Sequence, residues 1–275
     1  MKVISSLEDV KSSINDYKSN VEISLIPTMG NIHSGHINLI NSAPSSSLKI
    51  VSIYVNELQF NDRNDYINYP RTLDDDLSIC KDNNVDLIFA PDTSVIRKQL
   101  DSDKNDLPKF TSYMCGANRP GHFSGVYRIV KFLFETIEPN YALFGKKDFQ
   151  QLLLIKYIAN TYFPKLKIID VDTVRDSNNI ALSSRLNKIS SKSLHQVKLI
   201  FQTLKIMKKK LLSGLDFNTV KERGLLDLEN NNISVEYLDL RSLDTLQEQV
   251  KIDHPCGIFI ACYIDKIRLI DNIEI

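Results

Sequence analysis

Apolar positions along the chain follow two alternating rhythms. Short apolar runs, "VEISLI" (21–26), "LKIVSIYV" (48–55), "VDLIFA" (85–90), "YALFG" (141–145) and "LKIIDVDTV" (166–174), have the length of buried strands and are bounded by turn residues. Between them, "LDDDLSICKDNN", "GVYRIVKFLFETI" and "QQLLLIKYIANTYF" repeat apolar residues at helical spacing. Strands alternating with helices imply right-handed crossovers and a mostly parallel sheet with helices on both faces, an α/β, Rossmann-like domain over residues 1–175. In such a sheet, ligands collect at the carboxyl ends of the strands. After "VRDSNNIALSSRLNKIS" the rhythm changes to a long helix, "KSLHQVKLIFQTLKIMKKKLLSGL", a second helix, "FNTVKERGLLDLE", and three strand-like runs, "ISVEYLDLR", "CGIFIACYI" and "IRLIDNIEI". Residues 176–275 therefore read as a smaller α+β domain. The polar stretch "RKQLDSDKNDLPKF" reads as a surface loop, and the basic run "KIMKKKLL" as a solvated helix face.

Composition narrows the setting. A chain of 275 residues with 43% hydrophobic content can bury one large core or two smaller ones. The 34 basic and 34 acidic residues cancel, so no overall field gathers nucleic acid. No stretch approaches about 18 uninterrupted apolar residues, and "MKVISSLEDV" has no apolar core, which predicts a soluble, unexported, cytoplasmic protein without a membrane partner. Cys80, Cys115, Cys256 and Cys262 show no C-x-x-C spacing and read as buried reduced thiols.

The densest chemistry lies in "IPTMGNIHSGHINLI" (26–40). Pro27 and Gly30 mark a turn between a strand and a helix, a geometry that aims backbone N–H groups and the positive helix end at one spot where anions bind. His33 and His36, three apart, face one anion from the same side if the helix begins near them, and Gly35 keeps the backbone open. No third ligand stands nearby at metal spacing, so a phosphate site is the better reading. Further along, Asn56 and Gln59 follow the second strand-like run, Asp74, Asp75 and Asp76 open a helix, "FGKKDFQQL" brings Lys146, Lys147, Asp148, Gln150 and Gln151 to a strand end, and Ser183, Ser184 and Arg185 form a common kit for phosphate oxygens. The acidic trio equally suits the helix dipole or, near a phosphate site, Mg2+. Together these groups describe a nucleoside triphosphate site beside a small polar acceptor.

With those residues in place, the sequence resembles the pantoate–β-alanine ligase (pantothenate synthetase) family. "PTMGNIHSGH", "VSIYVNELQF", "YPRTLDDDL", "RPGHFSGV", "FGKKDFQQL" and "IALSSR" occur in the family's order across residues 27–185, followed by a final "RLIDN". The H-x-G-H element alone would suit any member of the wider nucleotidylyltransferase superfamily, so specificity comes from the set. The resemblance implies that pantoate attacks the α-phosphorus of ATP to give pantoyl adenylate and pyrophosphate, and that β-alanine then displaces AMP. It places ATP against Met29, Gly30, Asn31, Ile32, His33, Ser34, Gly35 and His36, and against Gly145, Lys146, Lys147, Asp148, Val174, Leu182, Ser183, Ser184 and Arg185. It implies catalytic roles for His36, His33, Lys147 and Arg185, and pantoate and β-alanine contacts at Gln59, Gln151 and Asn56, with Pro27, Met29 and Val126 as apolar walls. Asp75 and Asp76 match the acidic stretch linked to Mg2+, and a homodimer is expected.

The sequence departs from the family pattern in several places. Glu57 stands where proline is usual, Lys146 where glutamate is usual, Leu186 precedes the expected asparagine, and "SNNIALSSR" lacks an Asp-Gly turn. A negative Glu57 facing a pantoate carboxylate would repel it. Two alternatives stay open at this level: a nucleotide-binding protein of the same fold that no longer turns over, and an adenylyltransferase with another acceptor.

Overall fold

The computed structural model describes residues 1–18, 21–100, 107–252 and 255–275. In chain order the elements are β1 (Lys2–Ile4), α1 (Leu7–Lys18), β2 (Ile23–Thr28), α2 (Ser34–Ser42), β3 (Leu48–Ile53), α3 (Arg63–Ile67), α4 (Leu73–Asp82), β4 (Leu87–Phe89), α5 (Thr93–Leu100), α6 (Met114–Asn118) and α7 (His122–Ile137). They continue with β5 (Tyr141–Gly145), α8 (Phe149–Tyr162), β6 (Lys167–Val171), α9 (Leu194–Leu212), α10 (Phe217–Glu229), β7 (Ser234–Ser242), β8 (Cys256–Ile264) and β9 (Ile267–Glu274).

The first six strands form one parallel sheet in the order β1-β4-β3-β2-β5-β6, and the last three an antiparallel sheet in the order β7-β8-β9. The Rossmann-like α/β fold with a smaller C-terminal α+β unit, expected from the sequence, is the fold observed. Chain connectivity reverses direction between β2 and β5, which creates the crevice at which ligands of such sheets bind.

Pro27 sits inside β2, an unusual place for a residue without an N–H. The pairing explains it. Ile23 bonds through its backbone to Asn140 on the β5 side, whereas Thr28 O accepts from Tyr54 on the β3 side, so odd-numbered residues of β2 face β5. Pairing with β5 ends at Leu25, so Pro27 turns its missing donor toward a gap rather than a partner. That gap is the mouth of the crevice.

The main core lies between α1, α5, α7 and α8 and one face of the sheet, with Phe89 and Phe134 fully buried, and a smaller cluster around Ile26, Ile40 and Val51 fills the other face under α2 and α4. Helices α9 and α10 pack Leu204, Met207 and Phe217 onto β7–β9, while Lys205 and Lys209 of the basic run are exposed. All four cysteines are free and buried, as expected. The sequence pattern missed β1, α1 and α5. β1 is three residues long, and α5 begins four residues before the stretch read as a loop and takes in its first four residues; positions 101–106 of that loop lie outside the described residues.

Candidate active site

The turn after β2 is built to expose donors. Gly30 (φ 77°) and Asn31 (φ 51°) both take left-handed backbone, and a side chain at Gly30 would put its Cβ 2.8 Å from Asp76 Oδ2. Asp76, buried at the first turn of α4, explains the crowding: its Oδ2 accepts from Asn31 N at 3.0 Å and its Oδ1 from Ile32 N at 2.7 Å. One carboxylate thus ties down the two peptides that precede the histidines.

His33 caps α2, with its Nδ1 accepting from Gly35 N at 3.1 Å, while His33 N donates to His36 Nδ1 at 3.3 Å. A Cβ on residue 35 would stand 2.8 Å from His33 Cε1, so glycine is what allows the ring to fold back. An accepting Nδ1 carries no proton, so both neutral imidazoles keep theirs on Nε2. Burial, followed by the charge of Lys147, lowers the His33 pKa; burial, followed by His33, lowers that of His36 to about 3. The two rings, 4.1 Å apart, therefore present neutral N–H donors at a helix N-terminus.

Opposite the histidines, Lys146, Lys147 and Asp148 form a 3-10 turn at the end of β5. The two lysines diverge. Lys146 Nζ lies 2.8 Å from Asp172 Oδ1 and 3.5 Å from Glu274 Oε1, whereas Lys147 lines the cleft with its Nζ 3.7 Å from Asp148 Oδ2. Asn272 of β9 holds this turn by donating from Nδ2 to the carbonyls of Lys146 (3.0 Å) and Lys147 (2.9 Å). Burial works against the Asp148 carboxylate, but Lys147 and then Arg185 outweigh it and hold its pKa below the usual range.

The "SSR" arm arrives on a braced hairpin. Asp176 Oδ1 accepts from Asn178 N and Ile180 N, both at 2.8 Å, and Asn179 (φ 64°) takes the left-handed position that an Asp-Gly turn would give to glycine. Arg175 fixes the hairpin base through two 2.8 Å bonds to Asp271. Beyond it, Arg185 Nη2 and Lys188 Nζ each lie 3.1 Å from a different oxygen of Asp65 on α3. Burial opposes ionisation of Asp65, yet Arg185 outweighs it and keeps the pKa low. Tyr69 is buried beside this arm and lines the cleft with Ser184.

These parts enclose two joined lobes. The first, about 210 Å³, is lined by Met29, His33, Gly35, His36, Gly145, Lys147, Asp148, Val174, Leu182 and Ser183 to Arg185. The second, about 200 Å³, is walled by Pro27, Met29 and Val126 and carries Gln59 and Gln151, the latter shared with the first lobe. Gln59 is oriented: its Oε1 accepts from Asn56 Nδ2 at 3.3 Å and its Nε2 donates to Met29 Sδ.

Several expected residues take other positions. Gly30, Asn31, Ile32 and Ser34 shape the turn without lining either lobe. Asn56 does line the second lobe, and being buried with its Nδ2 also donating to Gly125 O at 3.0 Å, it secures the loop as well. Lys146 is turned to Asp172 and Glu274. Asp76 braces the turn and Asp75 is exposed on α4; among the described residues no group of three or more His, Cys, Asp or Glu side chains is placed to hold a metal ion. Glu57 is exposed, 4.0 Å from Arg97, and lines neither lobe, which removes the anticipated repulsion. Asp65, Tyr69, Arg119 and His122 were not anticipated. Tyr69, Arg119 and His122 do fall within "YPRTLDDDL" and "RPGHFSGV", but the sequence does not show what they contact, because the contacts of this group reach up to 123 positions away.

Comparison with known proteins agrees with this geometry. The family model described as pantoate-beta-alanine ligase matches residues 2–274. A pantothenate synthetase of Leptospira biflexa is 36% identical over 99% of this chain and 98% of its own, and one of Shewanella pealeana is 34% identical over 98% and 97%. The crystal structure of pantothenate synthetase from Thermus thermophilus matches with a TM-score of 0.91 at 28% identity, covering 100% of this chain and 99% of that one. The pantoate-beta-alanine ligase of Francisella tularensis, complexed with beta-gamma ATP and beta-alanine, matches with a TM-score of 0.83 at 31% identity over 100% and 97%. A match of this length and identity, carried on the two-lobed cleft just described, means that the chain belongs to the pantoate–β-alanine ligase family.

Proposed function

We propose that the chain condenses pantoate with β-alanine in two steps within this one cleft, with the triphosphate of ATP in the first lobe and pantoate in the second. A carboxylate oxygen of pantoate attacks the α-phosphorus, the bond from that phosphorus to the bridging oxygen breaks, and pyrophosphate leaves. The amine of β-alanine then attacks the acyl carbon, the bond to the phosphoryl oxygen breaks, AMP leaves, and the nitrogen gives up a proton. Activation is needed because a free carboxylate has no leaving group that an amine can displace.

The supporting observation is that both imidazoles of the H-x-G-H turn have Nδ1 occupied by a backbone N–H. Their Nε2–H groups are donors already aimed and neutral before substrate arrives. In the first step negative charge moves from the bridging oxygen onto pyrophosphate, and preorganised donors strengthen their hold on it as it does. Lys147 and Arg185 add full charges on the opposite wall, and Ser183 and Ser184 add hydroxyl donors. In the second lobe the Gln59 amide, with its oxygen held by Asn56, directs N–H toward an acceptor, which suits the carboxylate and hydroxyl oxygens of pantoate. Pro27, Met29 and Val126 cover its apolar carbons.

Mg2+ is not assigned to protein ligands. Asp76 already serves the turn, and among the described residues no group of three or more His, Cys, Asp or Glu side chains is placed to hold an ion; Mg2+ would enter as the usual companion of the triphosphate. The experiment that tests the reading is positional isotope exchange in ATP with pantoate present and β-alanine absent. Exchange is expected, and its absence at every Mg2+ concentration refutes a separate adenylate step.

A further inference from the structure

Nearly every cation around the cleft has a carboxylate at hand. Lys147 lies 3.7 Å from Asp148, Arg185 3.1 Å from Asp65, and Arg268 reaches Glu236 with Nε at 3.1 Å and again with Nη2. Arg119 differs. Among the described residues no carboxylate lies within ion-pair distance of it, and its two hydrogen-bonded nitrogens meet neutral groups: Nη1 meets His122 Nε2 at 3.0 Å and Nη2 donates to Gln59 O at 3.1 Å. His122 Nδ1 donates to the same Gln59 carbonyl at 2.8 Å, which leaves Nε2 as an acceptor for Arg119. Burial, then the Arg119 charge, lowers the His122 pKa to about 3, so the ring adds no charge of its own.

A guanidinium has five N–H donors in a planar fork. Two of the nitrogens of Arg119 are anchored from behind, and the side chain borders two small cavities that open off the first lobe beside Lys147 and Asp148. One of them, about 30 Å³, also reaches Gln151, one of the residues shared by both lobes, and is walled by Met114, Phe123, Phe149 and Ile270. A charge taken partly out of water and left without a counter-charge is favourable only if an anion completes it. The anchoring on Gln59 sets that vacant charge directly behind the residue that faces the acceptor lobe.

We propose that Arg119 binds the carboxylate of the amine co-substrate and thereby makes the second step selective for an amino acid over a simple amine. The assignment rests on the ligase reading above. Two anions compete for the role, the pyrophosphate end of ATP and the carboxylate of the amine. Phosphate oxygens already face the histidine pair, Lys147, Ser183, Ser184 and Arg185 across the first lobe. The cavity beside Arg119 has apolar walls that suit a short carbon chain, and the guanidinium fork matches a carboxylate with two parallel bonds. With its carboxylate there and its nitrogen toward Gln151, a short ω-amino acid points its amine at the junction of the lobes, where the acyl carbon is formed. His122 acts through Arg119 and Gln59 as a positioning residue.

The test uses the full chain with Arg119→Met and Arg119→Lys. Three quantities are measured: the KM for β-alanine, pyrophosphate–ATP exchange with pantoate alone, and hydroxamate formation with hydroxylamine, a nucleophile without a carboxylate. Arg119→Met is expected to raise the β-alanine KM by about 100-fold, the scale of removing one partner from a desolvated charge pair. Arg119→Lys, which keeps the charge and loses the fork, falls between it and the wild type. Exchange and hydroxamate formation change by only a few-fold. An unchanged β-alanine KM overturns the proposal. So does a parallel fall in all three rates, which assigns Arg119 to the adenylation step or to the fold. If the wild type itself shows no pantoate-dependent exchange, the ligase reading fails first, and that failure is separate from any effect at Arg119.

Discussion

The two walls of the first lobe reach similar chemistry by different means. The histidine wall is self-braced: His33 and His36 bond each other's turn, and Asp76, 44 and 45 positions further on, fixes the two peptides before them. The lysine–arginine wall is held from outside. Lys147 depends on Asn272, 125 positions away, and Arg185 on Asp65, 120 positions away. A wall of neutral donors can be rigid by local bonding, because nothing repels. A wall of cations needs distant carboxylates and amides to set it, so the C-terminal sheet becomes part of the active site without lining the first lobe with its own side chains.

The most damaging way to probe the local wall is Asp76→Ala. It leaves the N–H groups of Asn31 and Ile32 without their acceptor, and bonds to a charged partner are worth about 1.5–3 kcal/mol each. A stability loss of roughly 3 kcal/mol or more is expected in urea denaturation, with a lower apparent affinity for ATP. If stability holds and only the Mg2+ dependence of the rate shifts, Asp76 is a metal ligand after all rather than a brace.

That substitution also marks how far the sequence could be read. Strands β2 to β6 were legible from their own periodicity, and the set of His33, His36, Gln59, Lys147, Gln151 and Arg185, which lines the two lobes, was picked out by the resemblance of the blocks that carry it. The job of Asp76 was not. Three aspartates opening a helix look alike whether they serve the dipole, a metal or a neighbouring turn, and the deciding contact crosses to residues 31 and 32. Arg119 and His122 were hidden for the same reason, since both converge on the carbonyl of Gln59, about 60 positions earlier. Helix α1 was missed although Leu7, Val10 and Ile14 recur at helical intervals, because most of the positions around them are polar.

The cationic wall is probed next by the adjacent lysines. Lys147→Ala removes a charge aimed at the phosphates and should lower turnover about 100-fold, the scale of losing one preorganised transition-state donor. Lys146→Glu disturbs only the contacts to Asp172 and Glu274 and should stay within a few-fold. Steady-state rates with saturating substrates check the ranking. Equal losses would mean that the turn, rather than the one side chain, carries the effect.

The pH dependence of stability tests whether the histidine wall is neutral. His36 and His122 have pKa values lowered from 6.5 to about 3, first of all by burial. Between those values the unfolded chain binds protons that the folded chain refuses, so stability increases with pH. The contribution is fully present above about 6.5 and is lost as pH falls toward 3. At pH 5 the loss should be about 2 kcal/mol for each histidine relative to pH 8. Urea midpoints measured across this window should flatten in His36→Asn and again in His122→Asn. A wild-type profile with no slope there would mean that the imidazoles are charged, and the neutral-donor account of the wall would fall.

The smallest expected effect is the most specific to the contrast between the walls. Asn272→Ala removes two donors from the carbonyls of Lys146 and Lys147 without changing any side chain that lines the first lobe. Each carbonyl lies at a turn and retains other lone pairs, so the cost should be about 1 kcal/mol of stability, the size of an ordinary hydrogen bond. The functional effect should exceed what that stability loss implies, because Lys147 Nζ is carried on the loosened turn and its charge matters only when it is in place. A fall in kcat of about 10-fold with little change in the pantoate KM is therefore expected from steady-state kinetics. The same amide-to-alanine change in the local wall has no counterpart, since the histidines there are held by each other's backbone. If kcat is unchanged, the turn is set by the 3-10 geometry alone, and both walls of the lobe are then locally encoded.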